Sequence, residues 1–163
     1  MSEDTKLEVR KATEPDVREF ASWRYEPPYD IYSVTDPVDK AIAYFLSDAV
    51  NCHVIEGQGV LVGFITFGSD ARVPGGDYTA DALDIGMGIN PSLTGKGNGT
   101  AYVAAVVDHA RHTFDAPRLR VSVALNNPRA QRVWEQNGFA ETQRFVSTGS
   151  SVMGSTEFVV LEA

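Results

Sequence analysis

The residues with the clearest chemical content are Gly95, Lys96, Gly97, Asn98, Gly99 and Thr100, inside the stretch GINPSLTGKGNGTAYVAAVVDHARHTF that runs from Gly88 to Phe114. Three glycines at alternate positions, with one lysine among them, separate a strand-like run from an apolar-periodic one. A strand, a glycine turn and a helix start aim several unpaired backbone N–H groups at one point, with the positive end of the helix dipole behind them. That arrangement holds phosphate. Glycines admit the backbone angles such a turn needs and let phosphate oxygens approach, and Lys96 adds a point charge. A turn that merely needs flexible residues is the plainer account for a lone glycine pair. Three glycines directly before the most regular helix favour anion binding. The spacing excludes two phosphate motifs. A P-loop needs Ser or Thr after its Gly-Lys, but Gly97 follows Lys96. A dinucleotide fingerprint needs Gly-x-Gly-x-x-Gly early in the first β-α-β unit, and this turn has other spacing past mid-chain.

The elements that must position the turn can be read outward from it. Val103, Val106, Val107, Ala110 and Phe114 fall at helical spacing after it. Before it, GGDYTADALDIGMGIN predicts a strand in which Gly86 and Gly88 signal a bulge or a close approach. Upstream, KLEVRKAT predicts a first strand, and Thr13 caps a short helix reaching about Trp23. RYEPPYDIYSVTDP, rich in proline and tyrosine, is a loop. Asp36 and Pro37 open a second helix over VDKAIAYFLSDA. Two strands then form a hairpin around Gly57-Gln58-Gly59. Downstream, LRVSVAL predicts a strand, and Asn127 caps a helix with Pro128 first and Gly138 at its end. FAETQRFV and STEFVVLE close the chain as two antiparallel strands.

With 163 residues, 43% of them hydrophobic, the chain suits one domain over 1–163 with a core of about 7–162. Asp plus Glu number 22 against 14 Lys plus Arg, which disfavours a nucleic-acid surface and accommodates a cationic partner. One cysteine, Cys52, forms no internal disulfide and no cysteine-built metal site; it reads as a buried small hydrophobe in a reducing compartment. The charged N-terminus lacks a signal-like apolar region and no run reaches membrane-spanning length. A cytoplasmic protein with no membrane partner is expected. His53 reads as a strand residue on a polar face, and His109 and His112 as solvated helix surface with too few ligands for a metal.

INPSLTGKGNGTAYV resembles the acetyl-CoA-binding motif of the GCN5-related N-acetyltransferase (GNAT) family, and NNPRAQRVWEQNGF resembles that family's downstream Asn-x-x-Ala, aromatic, Gly-Phe signature. The order of elements matches from about Leu7 to the C-terminus. The resemblance implies a mixed α/β (α+β) fold: a central, mostly antiparallel, splayed sheet of six to seven strands flanked by about four helices. It implies acetyl-CoA as co-substrate, no metal, an amine acceptor and a possible homodimer. It further implies that the N–H groups of Gly95 to Thr100 hold the pyrophosphate. The end of the Leu83–Ile89 strand, with Met87 and Ile89, would pair with the pantetheine arm and point an N–H at the thioester carbonyl. Asn127 matches a cofactor-contacting asparagine, beside its role as a cap.

Two positions depart from the pattern. Thr94 stands where Arg or Gln is usual, which removes one side-chain phosphate contact. Trp134 stands where many relatives carry a tyrosine proposed to protonate the departing thiolate; indole N–H donates a hydrogen bond but yields no proton near neutral pH. Trp134 then reads as packing, beside the pantetheine. Asp84, one strand period from Gly86, is the candidate base for the acceptor amine; alternatively it faces solvent or pairs with a neighbouring strand. Tyr25, Glu26, Tyr29 and Tyr32 lie in the loop that the resemblance sets at the acceptor mouth, where tyrosines could stack on a cationic group or anchor the loop. The function so read is acetyl transfer to a primary amine of a small molecule or a protein N-terminus. A non-catalytic acyl-CoA-binding module and an unrelated phosphate-binding domain are the alternatives.

Overall fold

The computed structural model describes residues 6–27, 29–148 and 157–163; the side chains of Ile31 and Tyr32 lie outside what it describes. Seven strands form one sheet in the order β1-β2-β3-β4-β5-β7-β6, with β1 Leu7–Lys11, β2 Cys52–Gly57, β3 Val60–Phe67, β4 Leu83–Ile89, β5 Leu119–Ala124, β6 Ala140–Val146 and β7 Glu157–Glu162. Every neighbouring pair is antiparallel except β4 and β5. A parallel pair needs a crossover, which helix α3, Gly99–Thr113, supplies. Helices α1 (Glu14–Ala21), α2 (Val38–Phe45) and α4 (Pro128–Glu135) complete the mixed α/β architecture.

Local chemistry explains most boundaries. Asp16, at the third position of α1, accepts hydrogen bonds from the Thr13 N–H and hydroxyl, both at 2.8 Å. It also pairs with Arg10 at 2.6 Å, which ties the helix start to β1. α1 stops at Ala21, short of Trp23, which instead turns inward and is buried. α2 ends at Phe45 because the Ser47 hydroxyl donates to the Tyr44 carbonyl at 2.7 Å, a local bond that competes with continued helix. Gln58 and Gly59, both at positive φ, make the tight β2–β3 turn.

The sheet is covered on both faces. Val103, Val106 and Ala110 of α3, with Trp134 of α4, pack on Ile65, Ile85, Val121 and Leu161. On the other face Phe20 of α1 stacks on Phe64 at 4.3 Å between ring centroids, with Phe45 and Trp23 around them. Cys52 is buried there, and burial pushes its thiol up to about 12. No helix among the described residues is long and apolar enough to cross a membrane.

Two histidines depart from the sequence reading. His53 is buried, and its ring lies 5.4 Å from that of His109, with Phe67 and Phe114 completing the cluster. The His109 ring turns inward, so its Nε2 is buried with no hydrogen-bond partner among the described residues. Helical spacing gave the residue's position but not the aromatic pocket that α3 closes against β2 and β3. Burial holds both imidazoles below the ordinary value, helped at His53 by His109 and Lys11 and opposed by the Asn51 carbonyl; at His109 Asp108 opposes the shift. The unfolded chain therefore binds protons more readily than the folded one. The cluster's stability is present above the unfolded value of about 6.5 and is lost as pH falls below it. Thermal melts should show a falling midpoint from about pH 7 to about pH 5.5, and His53→Phe should flatten that fall.

Candidate acyl-transfer cleft

The β4–β5 pairing is short. It joins Leu83 to Leu119, Asp84 to Arg120 and Ile85 to Val121, and then stops, while β4 runs on to Ile89. The β3–β4 register is unbroken over the same residues, so no bulge interrupts β4. The sheet opens because β5 departs to pair with β7.

The direction of β4's backbone groups follows from its bonds. The Asp84 carbonyl accepts from Gly68 N–H at 2.8 Å, and Asn90 N–H donates to the Val62 carbonyl at 2.8 Å, both on the β3 side. On the other side, Leu83 N–H donates to the Arg118 carbonyl at 2.9 Å. Successive residues alternate, so Gly86 and Gly88 address β3 while Met87 and Ile89 turn their N–H and C=O groups into the opening. An extended amide-bearing arm could pair there as an added strand does. Gly86 and Gly88 are glycines because the other face is crowded: a Cβ on Gly88 would lie 2.4 Å from the Phe64 ring, and one on Gly86 would lie 2.6 Å from Thr66 Oγ1.

At the end of β4, Thr94 bonds through its hydroxyl to the Pro91 carbonyl at 3.0 Å. Gly95 and Gly97 follow at φ +72 and +80, left-handed values that glycine adopts freely. Asn98 precedes α3 without a side-chain cap, and the first intrahelical bond runs from Tyr102 N–H to the Asn98 carbonyl. The N–H groups of Gly99 to Ala101 therefore precede any intrahelical bond of their own, and Lys96 is exposed beside them. Arg129 reaches the same turn from α4: its Nη1 lies 3.6 Å from where a Gly95 Cβ would stand, and its guanidinium sits 4.5 Å from the Tyr29 ring centroid. Asn127 caps α4, its Oδ1 accepting from Ala130 N–H at 3.2 Å. The donor set fits a diphosphate.

A match to the acetyltransferase (GNAT) domain model spans residues 2–140. The chain belongs to the GNAT acetyltransferase family. Solved GNAT structures share its architecture. One is a chimera of spermidine N-acetyltransferase SpeG from Vibrio cholerae with hSSAT, 18% identical over 97% of this chain and 95% of that one, TM-score 0.77. Another is the spermidine N-acetyltransferase from Vibrio cholerae in complex with CoA and spermine, 18% identical over 96% and 94%, TM-score 0.72. No curated protein matches the chain.

Within this GNAT domain the remaining candidates separate. Trp134 is buried in the core, its ring edge-on to Phe139 at 5.0 Å. Tyr25 is half-buried, its phenol pushed up to about 12 by burial, and its hydroxyl donates to the Ile89 carbonyl at 2.7 Å. Glu26 is exposed, and Tyr29 faces Arg129. The Tyr32 side chain lies outside the described residues. Asp84 is 2% exposed, and both its oxygens are engaged: Arg120 Nε and Nη2 donate at 2.6 and 2.9 Å, and Arg72 Nε at 2.8 Å. It thus pairs with a neighbouring strand. A carboxylate so enclosed has no reach to an acceptor's proton. Arg72, Arg120 and Arg129 escape sequence reading because each acts through a register or packing contact that no local pattern encodes. Asp70 escapes likewise. It sits on the turn Ser69–Ala71 over Gly86, and burial holds its carboxyl above the usual range.

Proposed function

We propose that the chain transfers an acetyl group from acetyl-CoA to a primary amine by direct attack in the β4–β5 cleft, without a covalent enzyme intermediate. The observation that carries this reading is the pair of outward backbone groups at Met87 and Ile89 beside the glycine turn at the start of α3. Gly95 to Thr100, with Lys96 and Arg129, would hold the diphosphate; Asn127 and the cleft edges would hold the arm; Tyr25 would fix the Ile89 carbonyl. The Met87 N–H would stabilise the carbonyl oxygen as charge develops on it. In the reaction the amine nitrogen forms the new C–N bond, the C–S bond breaks, the thiolate takes a proton from solvent, and the amine releases one to water. No tyrosine acid is required, because a thiolate with pKa of about 8.5 is a fair leaving group. We assign Asp84 a structural role and Cys52 none in the chemistry.

Polyamines are one acceptor class to test, in view of the spermidine N-acetyltransferase likeness; amino acids and peptide N-termini are others, since an α-amine near 7.7 is partly neutral at pH 7. The buried lone thiol suits the cytoplasm, the compartment we propose. Thiol release from acetyl-CoA across polyamines, aminoglycosides, amino acids and short peptides is expected to depend on the amine. CoA binding without release for any amine would instead favour an acyl-CoA-binding module, and no CoA binding would overturn both.

A further inference from the structure

The cluster around Asp84 contains one carboxylate and two guanidinium groups. Arg120 is 1% exposed and fully committed: Nε and Nη2 bind Asp84, and Nη1 donates to the Ala80 carbonyl at 2.9 Å. Arg72 is different. Its side chain is 44% exposed, only its Nε bonds Asp84, and among the described residues its two terminal nitrogens have no hydrogen-bond partner. Tyr78 fixes both cations, with Arg120 at 4.9 Å and Arg72 at 5.7 Å from its ring centroid, and its hydroxyl lies 2.7 Å from Ser122 Oγ. The nearby carboxylates are taken or apart: Asp77 accepts from Thr79, Glu162 pairs with Arg118, and Asp70 makes no ion pair with Arg72 among the described residues. The site carries a half-exposed guanidinium that shares the one carboxylate of Asp84 through its Nε and leaves its two terminal nitrogens without a partner among the described residues.

Its position connects that guanidinium to the cleft. Asp84, Gly86 and Gly88 share one face of β4, opposite α3, and Ala71 covers Gly86 on that face. Arg72 follows Ala71, beside the last pairs before the strands part. We propose that Arg72 anchors the carboxylate of an amino-acid acceptor, so that the preferred substrate is an amine that also carries a carboxylate. This rests on the reading of the cleft as an acetyl-transfer site. Met87 lies three residues from Asp84, about 10 Å along the strand. A small acceptor such as an α- or β-amino acid is short enough to meet the guanidinium through its carboxylate by a charge-assisted hydrogen bond while its amine is held at attack distance near the Met87 N–H. Guanidinium is suited to the task because it meets a carboxylate with two parallel donors.

The test is amine-dependent thiol release from acetyl-CoA with L-amino acids, each beside its carboxamide and its decarboxylated amine. The free acid should exceed both counterparts in kcat/KM by about tenfold or more. Arg72→Gln should bring that ratio close to one, chiefly through KM, and Arg72→Lys should keep part of it. Circular dichroism confirms that each variant is folded. Equal turnover of acids and their counterparts, or an unchanged ratio in folded Arg72→Gln, overturns the anchor and leaves the transferase standing. No release with any amine overturns the transferase and the anchor together.

Discussion

Asp84→Asn should cost about 3–5 kcal/mol of unfolding free energy, because it leaves Arg120 charged, buried and without its anion. For a domain of this size that is a fall of roughly 10 °C in Tm. The effect arises from a cross-strand pair: Asp84 and Arg120 face each other in register where β4 and β5 still hold together. Replacing both partners by apolar residues, Asp84→Leu with Arg120→Met, should recover most of the loss, since an apolar pair often matches a buried ion pair. Denaturant unfolding of the three proteins reads this directly. A base at Asp84 would give the opposite pattern, with stability unchanged in Asp84→Asn and the rate alone reduced.

The second large effect is expected at Met87→Pro. Proline removes one N–H and is tolerated in a strand where that N–H bonds no neighbouring strand. Met87 meets that condition, since its groups face the opening beyond Ile85 and Val121. Losing one donor to a developing oxyanion typically costs about a hundred- to a thousandfold in kcat. The substitution should therefore reduce kcat by that order while CoA affinity, assigned under the proposed function to the turn and α4, changes little. Gly86→Pro and Gly88→Pro, which delete β3 bonds, should instead disrupt the sheet at its centre. Equal behaviour of all three would remove the special role of Met87.

These two expectations also mark what the sequence could disclose. The turn was legible because left-handed backbone at Gly95 and Gly97 demands a residue type, and residue type is what a sequence displays. The α4 start was legible for the same reason, with Asn127 and Pro128 each carrying a local bond or constraint. The seven strands could be named, but their order could not, because the β4–β5 and β5–β7 neighbours are set by a helix crossover and a chain reversal. Asp84 shows the consequence. Its strand and its face were readable, whereas its partner sits 36 residues on and a second guanidinium comes from a loop. His109 failed for a related reason: its helical position was clear, but the aromatic pocket that receives it is built from β2, β3 and the end of its own helix. A guanidinium lies beside the turn all the same, that of Arg129 from α4, a neighbour in space that spacing along the chain does not reveal.

The most direct measurement is amide hydrogen exchange of the isotopically labelled chain with and without acetyl-CoA. Met87 and Ile89 are expected to gain protection together with Gly97 to Thr100, while Gly86 and Gly88, already bonded to β3, do not change. Protection that spares Met87 and Ile89, or that falls on another part of the sheet, would contradict the cleft as the seat of acyl transfer.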